Sequence, residues 1–163
     1  MKYYIRNKAL TLAGGSTVNN ESGANVLKVA GKAFSPTHKK KVKTLDNKKL
    51  FTVRNKFWHL LFSSALIFDA DGNKLVKISE RVGFGFKVVN FDGDFAVEKE
   101  GRSYAVYKSG DLMFTVRYEN TAKNLIADCY EADVLREEDL PLAVAFTIAF
   151  DNVNDAIKRK TTR

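Results

Sequence analysis

The chain has little of what staples or interrupts a fold: one cysteine and two prolines in 163 residues. A lone thiol, Cys129, cannot close an intramolecular disulfide, which excludes a secreted disulfide scaffold. Pro36 and Pro141 are the only positions where a missing backbone N–H must break a ladder or a helix. Long hydrophobic runs are absent as well. The longest, Leu140 to Phe150, falls short of the roughly 20 residues that carry a helix across a bilayer. The opening Met1-Lys2-Tyr3-Tyr4-Ile5-Arg6-Asn7-Lys8 lacks the apolar stretch of about 7 to 15 residues of a signal peptide. The expectation is a cytoplasmic protein kept in a reducing compartment. Acidic residues are scarce in the first third, where Glu21 and Asp46 stand against 13 Lys and Arg over residues 1–60. That segment carries +11 of a net +8, and residues 61–163 carry −3.

What is present is material for one folded domain. With 45% hydrophobic, 12% aromatic and 28% charged residues, the chain can fill a core and is not biased toward disorder. Its length suits a single domain and leaves no room for a second. Most of it follows a period of two, in short runs rich in β-branched and aromatic residues. Val26-Leu27-Lys28-Val29, Leu50-Phe51-Thr52-Val53, Leu75-Val76-Lys77-Ile78 and Met113-Phe114-Thr115-Val116 share one layout, apolar at the second and fourth positions. The first three recur at intervals of 24 and 25 residues, and Phe51-Thr52-Val53-Arg54 returns unchanged as Phe114-Thr115-Val116-Arg117. Turn signals separate the runs: Glu21-Ser22-Gly23, Asp46-Asn47, Asp71-Gly72-Asn73, Asp92-Gly93-Asp94, Glu100-Gly101 and Ser109-Gly110-Asp111. Successive hairpins of this kind predict roughly ten to twelve antiparallel strands, as in a sandwich or a closed barrel.

The C-terminal segment departs from this pattern. Glu137-Glu138-Asp139 and Pro141 occupy the places that a helix N-terminus favours. The nine residues Leu142 to Phe150 then hold Thr147 as their only polar side chain. A helix apolar on every side has to be buried on every side. The segment is therefore expected inside the β-structure, closing a domain over residues 1–157, with residues 158–163 as a frayed basic tail.

No constellation for catalysis is found, and no metal or cofactor is expected. Asp69-Ala70-Asp71-Gly72-Asn73, with Glu80 at the twelfth position, has the oxygen spacing of a calcium loop. Lys74 stands where that loop requires glycine, and strand-like flanks replace its helices, so a hairpin turn is the better reading. Cys129 with His38 or His59 would be needed for a thiol nucleophile, but Cys129 lies in a strand-like run and is expected to pack as an inert thiol. Val82-Gly83-Phe84-Gly85-Phe86 lacks the lysine and helix of a phosphate loop and reads as a kink relieving barrel curvature.

At this point the chain resembles a known family. Tyr3-Tyr4-Ile5-Arg6-Asn7-Lys8, the continuations Gly31-Lys32-Ala33-Phe34-Ser35 and Arg54-Asn55-Lys56-Phe57-Trp58, and the closing helix through Phe150-Asp151-Asn152 are similar to the LURP-one-related proteins of the tubby C-terminal-like superfamily, its small bacterial members in particular. The likeness spans about residues 2–157. It implies a mostly β fold, a closed antiparallel barrel of about twelve strands around a central hydrophobic C-terminal helix. It also implies membrane-related work, since tubby-like domains bind phosphoinositides and the related scramblases act at membranes; it brings no catalytic residues.

The residues themselves point in a compatible direction. Lys39, Lys40, Lys41 and Lys43, continued by Arg54 and Lys56, create a positive field attractive to phosphate-bearing partners. Phe57 and Trp58 directly follow, and rings beside lysines suit interfacial docking. The expected function is a non-enzymatic binding module for anionic phospholipid surfaces, phosphoinositide-like, working peripherally on the inner membrane face. The alternative is a nucleic-acid or protein interaction domain, because stacking rings and basic side chains also serve single strands. The bland reading of the same residues is a solvated basic face, with the aromatics walling the barrel end.

Overall fold

The computed structural model of the chain describes residues 1–7, 15–31, 37–56, 63–81, 85–119 and 128–161. Phe57, Trp58 and His59 lie outside these residues. Twelve strands are present: β1 (Lys2–Asn7), β2 (Gly15–Asn20), β3 (Asn25–Gly31), β4 (Lys40–Lys43), β5 (Lys49–Asn55), β6 (Ser64–Phe68), β7 (Lys74–Glu80), β8 (Phe86–Asn90), β9 (Phe95–Glu100), β10 (Ser103–Lys108), β11 (Asp111–Glu119) and β12 (Asp128–Val134). All pairings are antiparallel, in the order β8-β7-β6-β5-β4-β3-β2-β1-β12-β11-β10-β9. Each strand pairs with its sequence predecessor except β9, and the β1/β12 pair joins the first strand to the last. This is the twelve-stranded antiparallel barrel that the family resemblance implies, and it decides between the sandwich and the barrel that the residue pattern left open.

The seam of the ring lies between β8 and β9. A hairpin was expected at Asp92-Gly93-Asp94, and a turn is there, but no backbone ladder joins the two strands. The amides of Phe91 and Asp92 both turn back to the Leu75 carbonyl of β7, at 2.9 and 3.1 Å. Asn90 substitutes for the missing rungs: its Oδ1 accepts from the Phe95 amide and its Nδ2 donates to the Phe95 carbonyl, both at 3.0 Å. The barrel is thus nearly closed, with Asn90 tying its seam.

The recurrent four-residue layouts fall in β3, β5, β7 and β11, strands that run in one direction because every other strand of a meander does. Leu27, Val29, Val53, Val76, Ile78, Phe114 and Val116 are buried, as that layout requires. The turn at Asp69 is the hairpin that the sequence favours. Asp69 accepts from the Asn73 amide at 2.8 Å and from its side-chain nitrogen at 3.0 Å, bonds that hold its carboxyl below the usual range. Glu80 lies at the other end of β7, about 20 Å of extended chain away, so the calcium spacing is never brought together. Cys129 is in β12 and buried, in keeping with an inert thiol.

A single 3-10 turn over Glu137–Asp139 leads into the helix α1 (Leu140–Thr161). Ala143, Val144, Ala145, Phe146 and Thr147 are consecutive and buried, and the four steps of about 100° from the first to the last pass a full circle. The helix is therefore enclosed on every side at that level, packed against β4 to β7 and against β11 and β12. Aromatic rings complete the lining: Phe86 of β8 and Tyr104 of β10 stack on Phe150, and Phe95 and Phe114 meet Phe146. Residues 158–163 were expected to fray, but α1 continues as helical backbone to Thr161. Among the described residues no helix is long and apolar enough to cross a membrane.

Candidate functional site

Alternation along the strands decides which basic side chains face outward. In β4, Val42 is completely buried and therefore inward, so Lys40 shares the inner face while Lys41 and Lys43 share the outer one. Lys40 is accordingly removed from the expected headgroup-binding set. Its Nζ lies 3.9 Å from Oδ2 of Asp151, whose side chain is 4% exposed on α1. Asp151 also accepts a 2.9 Å hydrogen bond from the Tyr130 hydroxyl of β12. A lysine amid an apolar barrel is tolerable because a carboxylate is there to meet it.

The other expected residues divide into two groups. The segment before β4 is held against the end of β5 by the bond from the Asn55 amide to the Thr37 carbonyl, 2.7 Å long. Lys39, Arg54 and Lys56 consequently gather at the barrel end opposite the β4–β5 turn, all three exposed. Arg54 lays its guanidinium over the Phe68 ring, 4.6 Å from the centroid, an arrangement that leaves its charge facing out. Lys43 sits toward the other end, on the outer wall, with Lys41 between.

Lys43 belongs to a grouping that the sequence reading missed. The ladders place Lys43 opposite Lys28 of β3 on one side and opposite Lys49 of β5 on the other. Lys28 in turn faces Thr17 of β2. Arg6 is on the outer face of β1, one residue beyond the buried Ile5. Together they form a lateral basic row across the wall of β1 to β5, neighbouring strands being about 4.8 Å apart. Within it is a groove of about 410 Å³ lined by Arg6, Gly15, Thr17, Lys28, Ala30, Lys43 and Asn47, among others. Gly15 and Ala30 lie directly opposite each other, and their lack of side-chain bulk opens the space. Among the described residues no carboxylate lines it.

The β4–β5 turn borders the groove and fixes its geometry. Lys28 donates through Nζ to the Leu45 carbonyl at 2.6 Å, and Asn47 holds a positive φ of 71°. The nearby Asp46 carboxyl is held below the usual range by a hydrogen bond from Thr44, by its own backbone and by the charges of Lys48 and Lys28. The groove offers cations and small polar groups, the chemistry of anion binding. The signal that could have found it is the outward phase of Arg6, Lys28 and Lys43 on three strand patterns; counting lysines along the chain favoured the dense run at 39–43 instead.

With the barrel, its central helix and the basic wall in place, comparison with known proteins becomes informative. A family model described as LURP-one-related matches residues 1–151. The chain belongs to the LURP-one-related family. Among solved structures, an X-ray structure of an Arabidopsis thaliana protein is similar, with a TM-score of 0.61 and 17% identity over 94% of this chain and 91% of that one. At that identity the likeness concerns the fold. No curated protein matches. Family membership agrees with the resemblance carried by the opening strand and the Phe150-Asp151-Asn152 closing segment, and Asp151 now has a structural role as the partner of Lys40.

Proposed function

We propose that this LURP-one-related protein is a binding module, not an enzyme, that attaches reversibly to anionic phospholipid surfaces through the outer wall of β1 to β5. The observation that supports this reading is the row of Arg6, Lys28, Lys43 and Lys49 on one face of adjacent strands, with Lys41 beside it. Side chains of one sign on one face add their fields toward a planar target, whereas the same charges scattered around a barrel would leave most of them too far from it to act through screening salt. Each lysine near an anionic leaflet contributes about 1 kcal/mol, so four or five give a salt-sensitive peripheral attachment. Its place of action on this reading is the cytoplasmic leaflet.

Sedimentation with vesicles tests it. The protein is expected to pellet with phosphatidylcholine vesicles containing phosphatidylserine or a phosphoinositide, to stay in solution with phosphatidylcholine alone, and to be released at high salt. Equal pelleting with neutral and anionic vesicles, or none with either, overturns the proposal. A gel shift with single-stranded RNA or DNA in place of lipid binding would move the basic wall to a nucleic-acid role.

A further inference from the structure

We infer that the groove between β1 and the β4–β5 turn is a site for a single phosphomonoester group, seated by Arg6, Lys28 and Lys43. This rests on the proposed attachment to anionic surfaces and narrows it from a charged wall to a stereospecific pocket. Lys28 and Lys43 face each other directly across the β3/β4 ladder, an arrangement of like charges that Asp46, whose charge reaches Lys28 from the turn, offsets in part and that an anion lying between them would relieve. Among the described residues neither forms an ion pair. Lys28 is not free to swing away, because the Leu45 carbonyl occupies one of its three donors and leaves two for a ligand.

The choice of phosphomonoester over carboxylate or phosphodiester follows from charge and shape. Three cations line one volume. A monoester brings close to two negative charges and three acceptor oxygens at neutral pH, while a carboxylate or a diester brings one charge. The Arg6 guanidinium offers the paired donors that match two phosphate oxygens, and the two ammonium groups can meet the third. The floor of Gly15 and Ala30 lets the group approach the backbone closely. The phosphate could reach the groove on a lipid headgroup or on a soluble ester, two sources with the same recognition chemistry.

The test uses the full chain and vesicles matched in total headgroup charge, containing either phosphatidylinositol 4-phosphate or phosphatidylserine, with inositol 1,4,5-trisphosphate as the soluble probe. Wild type is expected to prefer the monoester vesicles by about tenfold or more. Ala30→Leu fills the groove without changing charge; it is expected to abolish that preference while phosphatidylserine binding persists. Lys28→Gln with Lys43→Gln is expected to lose the preference too, so a folding defect in one variant does not decide the matter. Lys48→Gln with Lys49→Gln, the same charge removed outside the groove, is expected to weaken both lipids alike and keep their ratio. Competition by inositol 1,4,5-trisphosphate, lost in Ala30→Leu, assigns a soluble ester as a sufficient ligand; monoester preference without it assigns the lipid headgroup. Equal affinity for both vesicle types with no binding of the soluble probe overturns the groove site and leaves the charged wall standing. Binding of the soluble probe without any vesicle binding keeps the groove and overturns the wall.

Discussion

Gly93 sits in the turn that leads into β9 with a φ of +115°, and a Cβ there would lie 2.6 Å from Cε2 of Phe95. Both facts oppose any side chain. The left-handed backbone is strained for L residues, and Phe95 cannot yield easily because its backbone is clasped by Asn90 and its ring packs on Phe146. Gly93→Ala is therefore expected to cost about 2 kcal/mol, lowering Tm by roughly 5 °C for a chain of this length. Thermal denaturation followed by circular dichroism checks it, and an unchanged Tm would show that the seam turn relaxes freely. At the same scale, Lys40 shows how one position changes meaning with its facing: beside the outward Lys41 it is a surface charge in composition, yet in the fold it is an interior partner of Asp151.

The helix α1 is the element on which the barrel depends. Phe146 is completely buried, with ring centroids of Phe95, Phe114 and Phe150 at 5.5, 5.7 and 5.9 Å. Truncation by Phe146→Ala should cost about 3 to 5 kcal/mol, a large share of the 5 to 15 kcal/mol by which domains are stable. Phe146→Asp should be worse, because a carboxylate would be placed among apolar rings where no water solvates it. The expected outcome is an insoluble or unfolded protein. A cooperative transition at the wild-type temperature would mean that α1 is not the core. The contrast with Asp151, a buried carboxylate one turn further on, is instructive: Tyr130 and Lys40 are already in place for it.

At the scale of the whole molecule, the circular order of strands sets β3 and β9 six positions apart in a ring of twelve, on opposite walls. The row of cations is centred on β3, while exposed carboxylates at Glu98 and Glu100 are found on β9. A protein attached through its basic wall should thus present β3 to the membrane and β9 to water. Environment-sensitive labels at Lys41→Cys, on the outer face of β4 beside that row, and Ala96→Cys, on the outer face of β9, would report this. Brominated anionic lipid is expected to quench the first and spare the second. Equal quenching, or quenching of the β9 label alone, would contradict attachment through the basic wall. Cys129 is buried and should label poorly.

The sequence alone determined what depends on neighbours along the chain. Strand patterns of period two, turn residues tolerant of positive φ, and a helix apolar all round are local statements, and each appears in the structure where it was expected. Even the inward turn of Lys40 was legible, since Val42 two residues away marks the core face of β4. What lay beyond local reading was lateral. Arg6, Lys28 and Lys43 are separated by long stretches of sequence and meet only because antiparallel ladders fix their registers, and one residue of slip in any ladder would disperse them. The seam was equally hidden. An Asp-Gly turn announces a hairpin, but whether the two strands pair depends on competing acceptors, here Leu75 of the preceding strand and the side chain of Asn90. Tertiary structure decided both, because register and closure are settled by contacts between segments that no single stretch of the chain contains.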